Sequence, residues 1–452
     1  MAAPLAAALA LVASGMEVPA ATNVEGRPEA AESSPLQALI DAAAPGSTVE
    51  IPPGEYRGAL VVDKPLRLRG RGRPRLLRAG EGSVVRVRAD GVVVEGIDVD
   101  GLGGGDLGRD ASGVHVRARG AVVRDVRVQG TVFGIYLRSA DGSRVEGCRV
   151  RGIPGRDAGE KGSGIHVYDT DGFTVEGNEV VDARDGLYVQ SSPRGVIRGN
   201  SVREVRYGLH YMFSDDNLFE DNLFEQAGAG AVLMFSRRIV FRRNRLVHNR
   251  GFASVGLLLQ SMEDCLAEDN LIADNGRGVF LEGSRRNLFR RNLIAESDSA
   301  LVLYDSCAQN RFTGNSFLGN LTPLTLVGRR TDTDFAGNYW SDNDQPDLDG
   351  DGRSDRPYSI SSLFDHLRGN LTAADLLAQS GAASALAVAE RAFPVLAPLP
   401  VVDPSPLAHP PPLPAVPRAP PAERAASWPG LAGSLAALGA GLLLLLGGRR
   451  RA

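Results

Sequence analysis

The sequence has little cysteine, few histidines and no strongly basic block before its last residues. It contains three cysteines, Cys148, Cys265 and Cys307, and their odd number and lack of a CxxC spacing argue against a disulfide framework. The GxSxG, HExxH and P-loop motifs are absent, which argues against the hydrolases, zinc proteases and NTPases that use them. Because the net charge is −4, nucleic acid is not an expected partner.

Apolar segments near both ends predict where the protein resides. Residues 4–13 are apolar and VPAA follows at 18–21, so we predict a signal peptide over residues 1–22, the alternative being a disordered Ala-rich start. Residues 429–448 are apolar and uncharged and precede three arginines. They predict either a transmembrane helix that anchors an outward-facing body to the inner membrane or a cleavable sorting tail. Residues 371–393 predict a helical segment, and the Pro-rich residues 394–428 predict an extended tether.

The body of the chain is a repeat of about 22 residues. Asn occupies the sixth place of eight aligned segments, and Cys148 takes that place one unit earlier. The recurring residues are Asn178, Asn200, Asn222, Asn244, Asn270, Asn292, Asn315 and Asn338. Asn tolerates the left-handed backbone of a tight turn, and stacked amides can hydrogen-bond from one unit to the next. The repeat therefore predicts units that stack along one axis.

The length and pattern of the unit select the fold. Each unit has short alternating runs that are typical of strands, and it is too short for paired helices. A leucine-rich repeat has a similar length, but its LxxLxL pattern is absent. We predict an all-β fold, a right-handed parallel β-helix of roughly 10–12 coils over residues 34–370. Residues 34–56 predict an N-terminal cap, and the insertion at 153–162 predicts a projecting loop.

One strand of each coil predicts an unusual outer face. Strand residues alternate sides, so residues two apart share a face. The first predicted outward column is His115, Tyr136, His166, Tyr188, His210, Val232, Leu257, Phe280 and Val302. The second is Arg117, Arg138, Tyr168, Gln190, Met212, Met234, Leu259, Glu282 and Tyr304.

Two chemistries follow from these columns. Imidazole and thioether groups suit Cu(I), so His210, Met212, Met234 and His166 are candidate copper ligands. The alternative is that the methionines fill a gap and the histidines pack on tyrosines. The apolar end of the face needs a cover, either a partner protein or the chain's own 372–393 segment. The residues of that candidate partner surface are Val232, Leu257, Leu259, Phe280, Val302 and Tyr304.

A cluster of acids follows the last coil. Asp347, Asp349, Asp351 and Asp355 alternate with glycines in a pattern similar to the start of a calcium loop. The bidentate Glu that closes an EF-hand loop is missing, because Tyr358 occupies its place. Calcium is therefore a candidate cofactor, and an acidic turn held by Arg353 and Arg356 is the alternative.

The coils, the stretch RYGLHYMFSDDN at 206–217 and the stretch GNYWSDNDQPDLDGDGRSDRPY at 337–358 resemble the NosD family. The resemblance covers roughly residues 35–370 and implies a non-enzymatic periplasmic protein of nitrous-oxide reductase maturation. The partners that it implies are an ABC transporter, a copper chaperone and the reductase, whose copper–sulfur centre is assembled. This copper role agrees with the ligands predicted from the columns. The C-terminal apolar segment departs from the family pattern.

A function of another class is also consistent with the predicted fold. Parallel β-helices bind glycans along a strand face, so a polysaccharide lyase, an epimerase or a carbohydrate-binding protein is the alternative. Tyr188 and His210 would move the proton of a uronate, and Arg117 and Arg138 would neutralise its carboxylate. The apolar later half of the face argues against this alternative.

Overall fold

A computed structural model describes residues 35–360 except 79, 110 and 252, scattered residues between 364 and 389, and residues 401–412. The described residues form three long parallel sheets of 13, 13 and 12 strands, in which each strand pairs with the strands one coil before and after it. This arrangement confirms the predicted parallel β-helix. It has about one coil more than we predicted, because the weakly patterned residues 48–90 also form coils.

The strand bounds show one strand of each sheet in nearly every coil. The first sheet consists of Thr48–Ile51, Arg67–Gly70, Val93–Glu95, Val122–Arg124, Arg144–Glu146, Thr174–Glu176, Val196–Arg198, Leu218–Glu220, Val240–Arg242, Leu266–Glu268, Leu288–Arg290, Ala308–Thr313 and Asp332–Ala336. The second sheet consists of Glu55–Arg57, Arg75–Leu77, Asp98–Asp100, Arg127–Gln129, Arg149–Arg151, Glu179–Val181, Ser201–Arg203, Leu223–Glu225, Arg245–Val247, Leu271–Ala273, Leu293–Ala295, Ser316–Leu318 and Tyr339–Trp340. The third sheet consists of Leu60–Val62, Val85–Val87, Ser112–Val116, Phe133–Arg138, Ser163–Tyr168, Asp185–Gln190, Tyr207–Met212, Ala229–Met234, Val255–Gln260, Arg277–Glu282, Ser299–Tyr304 and Leu324–Val327.

Short helices accompany the sheets. The α-helix Pro35–Ala42 buries Leu36 and Ile40 and precedes the first strand, as the predicted N-terminal cap requires. A 3-10 turn lies at Leu107–Arg109. A second, Ala158–Glu160, lies in the predicted insertion at 153–162 and has no buried residue, so the insertion projects from the coil.

A ladder of buried Asn side chains connects the coils. The backbone N–H of Asn200 and its side-chain amide both donate to Oδ1 of Asn222, at 3.0 and 2.9 Å, and Asn222 repeats the pattern onto Asn244. The predicted amide stacking is therefore confirmed. The predicted left-handed backbone is not at Asn itself but at the preceding residue, for example Gly199 and Asp221. This offset lets the Asn side chain point into the turn, where it satisfies buried backbone groups.

A carboxylate closes the ladder at its C-terminal end. The fully buried Asp403 accepts hydrogen bonds from the backbone and side-chain amides of Asn338, at 2.9 and 3.0 Å. It also accepts from the N–H of Gly337 and from Nε1 of Trp340. Because a carboxylate only accepts hydrogen bonds, it suits the last rung, whose groups are donors.

This cap corrects part of the predicted tether. The strand Val402–Asp403 pairs antiparallel with Tyr358–Ser359, so residues 401–412 pack on the last coil instead of forming an extended linker. The Pro-rich composition alone predicts a linker, because the partner of Asp403, Asn338, lies 65 residues earlier in the sequence.

Other predicted segments fall outside the described residues. They are the signal peptide at 1–22, most of the helical segment at 371–393, the tether beyond 412 and the apolar segment at 429–448. Among the helices that the structure describes, none has the length and apolar character that a membrane crossing requires. The membrane anchor therefore stays a prediction.

Candidate functional site

The outer face of the third sheet brings together most of the predicted site residues. Strand pairing aligns Tyr188 with His210 and Gln190 with Met212. In the next coil it aligns Met212 with Met234. The two columns predicted from the sequence are therefore correct over these coils, and Met212 and Met234 are direct neighbours along the axis.

Aromatic rings stack along the first column. Tyr136 lies 4.4 Å from His166, and His166 lies 4.3 Å from Tyr188, measured between ring centroids. His115 stacks on Tyr136 at 4.9 Å, and His210 meets the edge of Tyr188 at 4.9 Å. The rings therefore contact one another along five coils, in stacked, tilted or edge-to-face arrangements. The packing of His on Tyr that we considered as an alternative is confirmed for this half of the face.

His210 ends the ring column beside a buried acid. Its Nδ1 lies 3.1 Å from Oδ2 of the fully buried Asp185, which also receives two hydrogen bonds from Arg206, at 2.9 and 2.8 Å. Burial alone would raise the pKa of Asp185, but the hydrogen bond from His210 and the charge of Arg206 hold this pKa below its ordinary value. An ionised Asp185 orients the imidazole with Nδ1–H toward the acid, which leaves the lone pair of Nε2 for a ligand. This is the arrangement of many metal-binding histidines.

His166 does not join His210 in one metal site. The ring of Tyr188 lies between the two imidazoles, which sit two coils, or about 9–10 Å, apart. A metal ion needs its nitrogen ligands at about 2 Å, so His166 is a wrong prediction for this coordination sphere. Burial lowers the pKa of His166 to about 3, and its Nδ1 has no hydrogen-bond partner among the described residues.

The two methionines differ in exposure. Met234 is buried, with 2% of its surface exposed, whereas Met212 is half-buried at the rim of the same cluster. Both therefore have a packing role, as the alternative predicted. Their adjacency to each other and to His210 places two thioethers and one imidazole on neighbouring positions of a rigid sheet. This donor set fits a soft ion such as Cu(I).

The apolar end of the face is not the surface that we predicted. Val232, Phe280 and Val302 are buried within the single chain, in a cluster on the outside of the third sheet, and Tyr304 packs at its edge. The other buried members of this cluster are Tyr207, Ala229, Met234, Val255 and Leu258. Because these side chains are already covered, they do not offer an open docking surface.

Leu257 and Leu259 were assigned to the wrong side of the strand. Strand pairing aligns Leu258 with Val232 and Leu259 with Leu233, so Leu257 and Leu259 point into the solenoid core. Alignment of the strands by a closing serine, here Ser261, predicts the wrong register. The paired strands keep the register of their first residues instead, and Met262 replaces a serine at the end.

The acid cluster forms a compact loop. Carboxylate oxygens of Asp347, Asp349 and Asp351 lie within 4.8 Å of one another, while Asp355 accepts from the N–H of Leu348. The guanidinium of Arg353 donates to Ser405, and only the backbone N–H of Arg353 donates to one of these acids, Asp351, so its side chain does not hold the turn as the alternative required. Asp347 accepts from the N–H groups of Gly350 and Gly352, and these bonds help to shape the loop. Calcium binding stays a prediction.

Several residues of the face were missed by sequence reasoning. Asp185 and Arg206 lie just before the aligned part of their strands, so the columns did not include them. Phe213 and Phe235 directly follow the methionines and are exposed by 55% and 41%. Other coils have serine or aspartate at the place of these two phenylalanines, and this difference in the sequence is the signal that could have identified them.

These features define a parallel β-helix protein with imidazole and thioether groups on one outer face. Residues 151–345 match the family model described as "Periplasmic copper-binding protein (NosD)". The chain is 34% identical over 406 residues to the "Probable ABC transporter binding protein NosD" of Pseudomonas aeruginosa, covering 86% of this chain and 91% of that protein. It is 33% identical to the protein of the same name from Stutzerimonas stutzeri, covering 76% of this chain and 83% of that one. The chain belongs to the NosD family.

Solved structures show the same fold at low identity. The A-module of the mannuronan C-5 epimerase AlgE6 of Azotobacter vinelandii is 18% identical, with a TM-score of 0.55, covering 66% of this chain and 94% of that one. An alginate lyase of family PL6 in complex with a trisaccharide is 13% identical, with a TM-score of 0.55, covering 68% and 82%. At these identities the likeness concerns the fold alone.

Proposed function

We propose that this chain is a periplasmic, non-enzymatic accessory protein that binds Cu(I) during the maturation of nitrous-oxide reductase. It acts with an ABC transporter and receives its copper from a copper chaperone, for assembly of the copper–sulfur centre of the reductase. The observation that supports this most is the placement of His210, held by Asp185, next to Met212 and Met234. Family membership supports the copper and transporter roles, since the matching descriptions name both.

The residues of this chain supply binding and orientation. Met212 and Met234 offer neutral sulfur ligands, which hold Cu(I) without adding charge to a half-buried face. Asp185 fixes the tautomer of His210 and strengthens its Nε2 as a ligand. Met212 is more exposed than Met234, so copper reaches the site from its side.

Competition with a chromophoric Cu(I) chelator tests the site. The Met212→Leu/Met234→Leu variant should lose about 100-fold in Cu(I) affinity, and Asp185→Asn should lose about 10- to 100-fold. Met262→Leu is the matched control, because Met262 is fully buried in the core. Unchanged affinity in the double variant would remove the proposed site. In cells, loss of this chain should leave the reductase deficient in copper.

The polysaccharide alternative has weaker support. Burial raises the pKa of Tyr188 to about 12, and its hydroxyl already donates to Gln190 at 2.6 Å, so it is a poor proton carrier. The ring faces of Tyr136, His166 and Tyr188 contact one another and are not open to a sugar. Ultraviolet absorbance of unsaturated uronate ends, measured with uronate polymers, should stay flat.

A further inference from the structure

An exposed pair of phenyl rings lies beside the candidate copper ligands. The rings of Phe213 and Phe235 stack in parallel, with centroids 5.1 Å apart and planes 10° from parallel. Each ring belongs to the residue that follows a candidate ligand, Met212 or Met234. The two side chains remain 55% and 41% exposed, although most phenylalanines of the solenoid are buried.

The corner that holds these rings does not require aromatic residues. Phe213 donates its N–H to the carbonyl of Met234, and Phe235 donates to that of Gln260 in the same way. The equivalent positions in other coils make the same bond and have φ angles near 50°, as the two phenylalanines do. Those positions hold Ser139, Asp169, Ser191 and Ser261, whereas Gly283, at the next such place, donates its N–H to the hydroxyl of Ser306. Small or polar residues therefore satisfy the turn, and the backbone does not explain the choice of phenylalanine.

Exposed stacked aromatics are typical of protein interfaces. Aromatic side chains supply large contact area with few rotatable bonds, and they dominate binding hot spots. Here the pair borders Met212, through which copper would enter. A protein that seats on the rings would hold its own metal site close to the methionines, which direct ligand exchange requires.

Exposed arginines on the same side of the solenoid indicate that the surface of the partner is acidic. Arg88 and Arg117 directly follow two strands of the third sheet on the N-terminal side of the rings, and both are exposed. Neither forms an ion pair with a carboxylate among the described residues. By contrast, arginines that flank the first sheet, such as Arg238 and Arg243, each bind acids of the preceding coil. Unpaired guanidinium groups attract an acidic surface and steer its approach.

We propose that Phe213 and Phe235 are the docking anchor for the copper-delivering protein, an acidic carrier whose Cu(I) site is surrounded by apolar residues. This inference rests on the proposed function. Arg88 and Arg117 steer the carrier, and the phenyl pair fixes it beside Met212. The copper ion then passes by exchange between thioether and imidazole ligands of the two proteins, with no change in its charge.

The test replaces the rings with the residue that other coils use. In Phe213→Ser/Phe235→Ser, the dissociation constant for the family's copper chaperone, purified in its Cu(I) form, should rise at least about 30-fold by surface plasmon resonance. The Cu(I) affinity of the variant alone should stay unchanged, which separates this result from a failure of the copper site. Leu321→Ser is the matched control, because Leu321 is 57% exposed but distant in sequence from the methionines.

Further measurements complete the test. The thermal midpoint of the double variant should stay within about 2 °C of wild type, since exposed side chains contribute little to stability. Arg88→Glu/Arg117→Glu should slow association, and salt should slow the association of wild type. The proposal is overturned if wild type does not bind the chaperone, if the phenylalanine variant binds as tightly, or if Leu321→Ser loses as much.

Discussion

The closing rung of the Asn ladder allows a quantitative prediction. In Asp403→Asn, an NH2 group, which donates hydrogen bonds, replaces one carboxylate oxygen. If that group replaces Oδ1, the N–H groups of Gly337 and Ser405 lose their acceptor. If it replaces Oδ2, both amides of Asn338 and Nε1 of Trp340 lose theirs. The side chain will adopt the first orientation, because it loses fewer bonds.

The expected cost follows from this count. Each buried donor without an acceptor costs about 1–3 kcal/mol, and the Ser405 bond lies nearer to solvent, so the total is about 2–4 kcal/mol. In a solenoid each coil contacts only its neighbours, so the loss should stay in the last coils and not spread through the chain. The amides of Gly337 and Asn338 should therefore exchange with deuterium about 30- to 1,000-fold faster.

Native-state hydrogen exchange by mass spectrometry measures this effect. Peptides that contain Asn200 and Asn222 serve as an internal control, because they lie several coils away from the cap. Asp351→Asn is the matched variant, since Asp351 is exposed in the nearby loop. Equal protection of Asn338 in wild type and Asp403→Asn would refute the capping argument, and a uniform loss over all coils would refute its local character.

Three further predictions concern protonation, thiol reactivity and surface charge. Burial and the charges of Arg117 and Arg138 lower the pKa of His115 to about 3, and burial lowers the pKa of His166 to about 3. Both rings therefore stay neutral in the folded chain. In the unfolded chain they become protonated below the ordinary histidine pKa of about 6.5. Stability should therefore fall by about 1–2 kcal/mol per ring between pH 7 and pH 5 in urea denaturation, and His115→Phe/His166→Phe should show a smaller fall. Burial raises the pKa of Cys148 and of Cys265 to about 12, so native protein should resist iodoacetamide and react only when it is denatured; fast labelling would contradict this burial. Arg238 lies between Asp216 and Asp264 in a column of alternating sign, so Arg238→Asp should lower the thermal midpoint, and added salt should restore part of it.

The period of the sequence made the coil stack predictable. A buried Asn at a fixed place in successive units is visible without a structure, and it sets which residues become neighbours. From that alone the pairing of Met212 with Met234 followed correctly. The error at Leu257 and Leu259 arose because Ser261 lies at the corner while Met262 takes the place that serine holds in other coils. Pairing in this strand follows its start, where Gly230 approaches the carbonyl of Gly256 too closely for a side chain.

The rest of the site depends on contacts that have no local pattern. Asp403 meets Asn338 across 65 residues, and its Pro-rich surroundings predict a linker. Asp185 binds His210 across 25 residues, from a place where the strand turns the corner and alternation no longer tells which way a side chain points. In both cases a buried carboxylate accepts hydrogen bonds from several donors. Tertiary packing brings these donors together, so no local sequence pattern reveals them.

The Asn ladder also helps to fix the geometry of the candidate copper site. Met212 and Met234 belong to coils whose adjacent turns are fixed by Asn222 and Asn244, each of which donates two hydrogen bonds to the next coil. The spacing of the thioethers is therefore set by backbone pairing before any metal binds. A preorganised pair of soft ligands loses little conformational entropy on binding, so affinity arises from ligand chemistry and not from folding around the ion. The same rigidity holds Met212 at the half-buried rim of its cluster.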